Sequence, residues 1–387
     1  MNQLHRRRFL VSLILSGVLI GSCAAPLGKM PIPSATEETP TVTLSSITFT
    51  EAKKFPTLTP RMLTVTPTVD KQASSRQMLA YLSAQGSLGE LSTIRADGSR
   101  RAILLREEML IADLVSSPDS KQIAFWGCPG SMISNCYSTG DQDILVIDWD
   151  GGDLRHLTGS PGHDRDPDWS PDGRIAFISD RSGSEQIYIM NSDGSDPRQL
   201  TDQPIQNMDP KWSPDGKWIA YTNLLAGKHR IYVISPDGKP AGDPIVGDAP
   251  AWSPVSLAGG LRLAFVCSQG QNHDICTVKP DGSDRVNLTN TLFDERCPDW
   301  SPDGSWLAFD AGPGGKRFIG KVCTNCPSGG EAIRITSAST PSGCPVWSPD
   351  GWQIAYMNNF DLRIVNADGS GATKLASGVH FGPIWRP

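Results

Sequence analysis

Short stretches of alternating hydrophobic and polar residues recur along most of the chain, each ended by a cluster of turn formers. One unit runs Pro167-Asp168-Trp169-Ser170-Pro171-Asp172-Gly173, then Ile175-Ala176-Phe177, Ile187 to Met190, Asp193-Gly194 and Arg198 to Thr201. A period of two, bounded by Pro-Asp-Gly and Asp-Gly, predicts strands joined by tight turns in which proline presets φ and glycine takes the positive φ. The unit therefore reads as four antiparallel strands in about 45 residues, the size of one propeller blade.

The unit repeats. Prolines closing a Trp-Ser-Pro-like motif stand at Pro118, Pro171, Pro214, Pro254, Pro302, Pro349 and Pro387, spaced by 53, 43, 40, 48, 47 and 38 residues, and periods near 40 to 50 with strand content predict a β-propeller. The second-strand triplet recurs as Ile123-Ala124-Phe125, Ile219-Ala220-Tyr221, Leu263-Ala264-Phe265, Leu307-Ala308-Phe309 and Ile354-Ala355-Tyr356, its alanine leaving room for a neighbouring sheet. Asp-Gly turns recur at Asp97, Asp150, Asp237, Asp281 and Asp368, with Ser328-Gly329-Gly330 in that place in one unit; these aspartates read as turn formers. Leu79-Ala80-Tyr81 is a second-strand triplet with no Trp-Ser-Pro before it, and Pro383-Ile384-Trp385-Arg386-Pro387 is a first strand with nothing after it. Joined, they predict a blade shared by the two ends. The expectation is an all-β, seven-bladed β-propeller over 76–387, closed by this composite blade and without sheet edges, with six blades as the alternative.

The first residues read differently. Arg6, Arg7 and Arg8 precede twelve mostly apolar residues, Phe9 to Ile20, and then Gly21, Ser22 and Cys23. That layout predicts a signal peptide over 1–22 whose lipobox delivers Cys23 for lipidation; the arginines also resemble a twin-arginine export signal. Residues 24 to 75 hold 11 Thr and 7 Pro with no periodic apolar face, so residues 23–75 are expected to be a lipidated cysteine followed by a disordered tether. The chain would thus be extracytoplasmic, anchored in the cell membrane as a lipoprotein.

Trp212 to Tyr221 followed by Ile231 to Gly238 is similar to the TolB-type β-propeller repeat, a resemblance that covers about 310 residues and implies the propeller fold. The resemblance further implies that the loops entering each first strand converge at one mouth of the central channel. Those loops hold His163, Asp164, Arg165 and Asp166; Asn207, Met208 and Asp209; Gly247 and Asp248; Asp294, Glu295 and Arg296; and Val379, His380 and Phe381. Mostly acidic side chains there could bind a cation, a basic peptide or a polar ligand, with solvated polar loops as the plain alternative. Similar repeats form the propeller of prolyl oligopeptidase relatives. No serine here lies in a G-x-S-x-G elbow, however, and the histidines (His5, His156, His163, His229, His273 and His380) lack metal-ligand spacing. The expectation is a protein that is not an enzyme and needs no cofactor or metal.

Nine cysteines less Cys23 leave an even eight, which suits disulfides in an exported protein. Cys128 with Cys136 and Cys267 with Cys276 flank hairpin loops, Cys323 and Cys326 straddle a turn, and Cys297 and Cys344 hold equivalent places before Pro-x-Trp in adjacent units. A redox or metal role for Cys323-x-x-Cys326 is the sharper alternative to a staple. Residues 76–387 carry 27 basic and 37 acidic side chains, a net of −10, which argues against a nucleic-acid surface. A monomeric scaffold that binds an envelope protein or peptide is the leading expectation. A sugar- or small-ligand sensor, or the accessory propeller of a peptidase on another chain, are the alternatives.

Overall fold

The computed structural model describes residues 76–85, 88–129, 141–159, 161–203, 206–254, 259–269, 272–313, 316–326, 330–337 and 343–387. The signal peptide, Cys23, the tether, Cys136 and Ser328-Gly329 lie outside them. Among the described residues the chain is strand and turn, with no helix.

The described residues form 28 strands, which fall into groups of four. In the first, Val379–Trp385 pairs antiparallel with Met78–Gln85, followed outward by Leu88–Arg95 and Ala102–Glu107. Trp385 stands opposite Leu79 and Ile384 opposite Ala80, so the two ends of the described chain share one sheet. The second group is Met109–Ser116, Gln122–Pro129, Asp141–Asp148 and Arg155–His156, and the third is Gly162–Trp169, Ile175–Ser179, Gln186–Met190 and Arg198–Gln199. A two-residue parallel ladder, Asp141 with Gly162 and Gln142 with His163, fuses these two into one eight-stranded sheet. The fourth group starts at Asn207–Trp212, the fifth at Asp248–Trp252, the sixth at Glu295–Trp300 and the seventh at Val346–Trp347.

The triplets explain how the groups stack. Ile123, Ala124 and Phe125 are all fully buried, as are Leu307, Ala308 and Phe309, because a second strand is covered on both faces. Period-two alternation then sends the two large residues one way and the alanine the other. Ile175 and Phe177 pack on the second group while Ala176 packs on the fourth; Leu263 and Phe265 pack on the fourth while Ala264 packs on the sixth. The same division holds in every group. Seven hydrophobic clusters result, each between two groups consecutive in the chain, except that Leu79 and Tyr81 pack with Ala355, Leu362 and Ile364 of the last group.

Turn chemistry follows the motif. Ser213 Oγ donates to Asp215 Oδ1 at 2.6 Å and accepts the Trp218 N–H at 2.9 Å, while the Gly216 N–H reaches the Ser213 carbonyl at 2.9 Å. A buried serine thus satisfies the turn that Pro214 presets. Gly194, at φ 85°, is required on two counts: its conformation suits glycine, and a Cβ there would lie 2.5 Å from the Leu157 carbonyl oxygen of the preceding group.

Neighbouring first strands are tied in two ways. Where aspartate precedes the tryptophan, its carboxylate accepts the next tryptophan's backbone N–H: Asp168 from Trp212 and Asp299 from Trp347, both at 2.7 Å. Where another residue stands there, its carbonyl accepts the next indole: Lys211 from Trp252 at 2.9 Å, Ala251 from Trp300 and Val346 from Trp385 at 3.0 Å.

Among the described residues three disulfides join the expected partners: Cys267–Cys276, Cys297–Cys344 and Cys323–Cys326. The Cys128–Cys136 pairing falls outside the described residues.

Candidate functional site

Each first strand of the second to sixth groups bulges before it reaches the tryptophan position. The ladder slips between Ala112 and Val115, Arg165 and Asp168, Met208 and Lys211, Asp248 and Ala251, and Arg296 and Asp299. Within each slip one residue is left-handed: Asp113 (φ 53°), Asp166 (54°), Asp209 (50°), Ala249 (51°) and Cys297 (52°). In four of these a proline follows, which disfavours the right-handed helical region for the residue before it, and aspartate tolerates the left-handed one. A bulge re-aims its side chain. Asp113, Asp166 and Asp209 are thereby brought into electrostatic reach of one another.

The group is internally balanced only in part. Arg165 is buried, with Glu185 at 2.6 Å and Asp166 at 3.4 Å, and Lys211 Nζ lies 3.6 Å from Asp168. Burial opposes both cations, but Asp166 and Glu185 hold Arg165, and Asp168 and Asp209 hold Lys211, more firmly protonated than usual. Burial raises the Asp166 carboxyl above the carboxylate range; Arg165 pulls it down, and Asp113 and Asp209 add to the rise. Asp113 accepts the Trp126 indole N–H at 2.6 Å, yet the residue stays exposed, as does Asp209. Asp248 continues the field: burial raises its carboxyl, with His229 and His273 opposing and Asp209 reinforcing.

The other residues expected at the mouth separate into two sets. Asp164, Asn207 and Glu295 are turned inward and engaged. Asp164 takes both contacts from Arg181 Nη2 at 3.0 and 2.9 Å; Asn207 Nδ2 donates to the Glu185 carbonyl at 3.0 Å and its oxygen accepts from Asn223 at 3.1 Å; Glu295 accepts from Thr291 Oγ1 at 2.6 Å. Burial pushes Glu295 up to about 7. The second set lies nearer solvent. The His163 backbone N–H donates to Asp180 at 2.7 Å; Asp294 meets the His273 N–H at 3.2 Å and its ring at 3.1 Å; His380 is exposed beside the Phe360 ring, centroids 5.5 Å apart. Arg296 lies among Arg317, Asp294, Asp310 and Asp248, and its own burial together with the Arg317 charge holds its guanidinium below the usual arginine range.

Sequence reasoning missed Asp113, Asp168, Lys211 and Glu185. Asp113 had a signal: it precedes Ser116 by three residues, the same offset as Asp166 from Trp169 and Asp209 from Trp212. Among the described residues no three His, Cys, Asp or Glu side chains are placed to hold one metal ion.

Comparison with known proteins completes the picture. The profile of the TolB beta propeller domain matches residues 117–242 and 208–387. Among solved structures the chain is similar to TolB from Acinetobacter baumannii (19% identity, 81% of this chain, 67% of that chain, TM-score 0.52). It is also similar to an oligogalacturonate lyase from Vibrio parahaemolyticus (12%, 78% and 85%, 0.55) and to a puromycin-hydrolyzing peptidase from Mycobacterium tuberculosis (14%, 79% and 53%, 0.54). At these identities the likeness is one of fold. No curated protein matches the chain.

Proposed function

Since the chain belongs to the TolB beta propeller domain family, we propose that it is a seven-bladed, non-catalytic propeller that binds a basic segment of an envelope protein at its inner-strand mouth. It is held outside the cytoplasm by lipidated Cys23 and the tether that follows. The blade count and closure are supported by four-strand groups whose clusters run on from the last group to the first. The observation that carries the binding reading is the inner-strand bulge: it brings Asp113, Asp166 and Asp209 together with Asp168 and Glu185, five carboxyl groups, around two cations, Arg165 paired with Glu185 and Asp166 and Lys211 with Asp168. A mouth with surplus carboxylate favours a ligand that carries its own guanidinium or ammonium groups.

Crosslinking of the lipidated chain in its native envelope, followed by pull-down, should recover a partner whose bound segment is rich in Arg or Lys. Asp113→Asn, Asp166→Asn and Asp209→Asn combined should abolish its binding by calorimetry. Unchanged affinity would remove the mouth from the interface, and a mature N-terminus lacking a modified Cys23 would remove the anchor.

A sugar-binding module is a second reading, supported by a separate polar cavity of about 500 Å³ lined by Tyr356, Asn358, Asp361 and Arg363. Binding on a glycan array that is lost with Arg363→Ala would favour it.

A further inference from the structure

Away from the aspartate bulges, at the place where the first and last strands meet, a cavity of about 700 Å³ gathers Arg76, Arg95, Arg100 and Arg386. The concentration is out of character for residues 76–387, whose net charge is −10. Among the described residues none of the four is ion-paired, although most other arginines of this region are held by a carboxylate or a carbonyl. Arg386 Nε donates to the Ser120 carbonyl at 2.9 Å and its guanidinium lies 5.7 Å from the Trp149 ring centroid, leaving the far edge of its fork unused. Arg95 Nε is buried without a hydrogen-bond partner. Asp150 is the one carboxylate side chain in the lining, and its single charge offsets one of the four guanidinium groups at most. Four guanidinium groups in one concavity repel one another unless an anion is present, and unmet donors in a partly desolvated site point to a ligand that accepts them.

We propose that this cavity is an anion site for a phosphoryl group. A carboxylate has two oxygens and a single charge, which one guanidinium fork can satisfy; four forks exceed that demand and match the three or more acceptor oxygens and higher charge of phosphate. Leu104 and Trp149 are among the lining residues and add apolar wall, so the cavity accepts a phosphoryl group attached to a larger body. The phosphoryl group comes either from a free phosphate compound or from a lipid headgroup. The inference does not rest on the mouth reading, which concerns other residues of the opposite charge.

Calorimetry on the full chain in a neutral detergent tests it, with inorganic pyrophosphate as one probe and monomeric dihexanoyl phosphatidylglycerol as the other. Saturable binding of either probe is expected, weakened at least tenfold by Arg95→Gln with Arg100→Gln, weakened in part by exposed Arg100→Gln alone, and unchanged by Arg198→Gln elsewhere on the surface. Binding of pyrophosphate alone assigns the site to free phosphate compounds, and binding of the lipid alone assigns it to a headgroup. The proposal fails if neither probe binds saturably at 150 mM salt, or if the double variant, with an unchanged thermal transition, binds as tightly as the parent. It fails equally if Arg198→Gln weakens binding as much as the double variant does.

Discussion

Asp168 and Asp299 occupy the same place in the repeat and accept the same bond, yet their surroundings differ by one residue. The next repeat offers Lys211 to Asp168, with Nζ at 3.6 Å, but offers Val346 to Asp299. Burial therefore pushes the Asp299 carboxyl up to about 7, with only the Trp347 N–H acting against it. A carboxyl whose folded pKa exceeds its unfolded one near 3.8 favours the folded state when protonated, so its contribution is full below about 4 and is lost as pH rises through about 7. Asp299→Asn, whose amide oxygen still accepts the Trp347 N–H, should be more stable than the parent at pH 8 and should flatten the decline between about pH 4 and 7; urea titrations across that range measure it. Val346→Lys should instead bring the Asp299 midpoint down, readable by carboxyl NMR.

At the scale of the element, the repeat was open to reading because turn and packing each need a particular residue at a set offset. Pro-Asp-Gly marks the first turn, and the alanine of Ile-Ala-Phe marks the face toward the next group. The site was only partly readable. Asp164 and Asp166 sit two apart in one loop string, but which of them faces inward depends on where the strand Gly162–Trp169 begins and on the slip between Arg165 and Asp168. Both are outcomes of tertiary pairing and leave no mark in composition. The tryptophans, alike in sequence, divide by partner in the same way. Trp300 Nε1 bonds the Ala251 carbonyl, while Trp347 Nε1 is buried without a partner. Trp300→Phe should accordingly cost about 1 kcal/mol more than Trp347→Phe, because it alone removes a hydrogen bond, that to the half-buried Ala251 carbonyl. Paired denaturation curves decide it.

For the whole molecule, the covalent links differ in reach. Cys297–Cys344 spans 47 residues and joins two groups, whereas Cys323–Cys326 spans 3. Chain-entropy reasoning assigns about 4 kcal/mol to the first and about 2 kcal/mol to the second. Replacing Cys297 and Cys344 by alanine should therefore lower the guanidinium midpoint more than replacing Cys323 and Cys326, and the reverse order would locate the stability elsewhere. The pairing of Met78–Gln85 with Val379–Trp385 on one side and Leu88–Arg95 on the other has a mechanical consequence. A pull applied at Met78 along the strand axis would load both ladders together in shear instead of peeling one bond at a time. The sheet that joins Met78–Gln85 to Val379–Trp385 would thus resist tension applied along that axis.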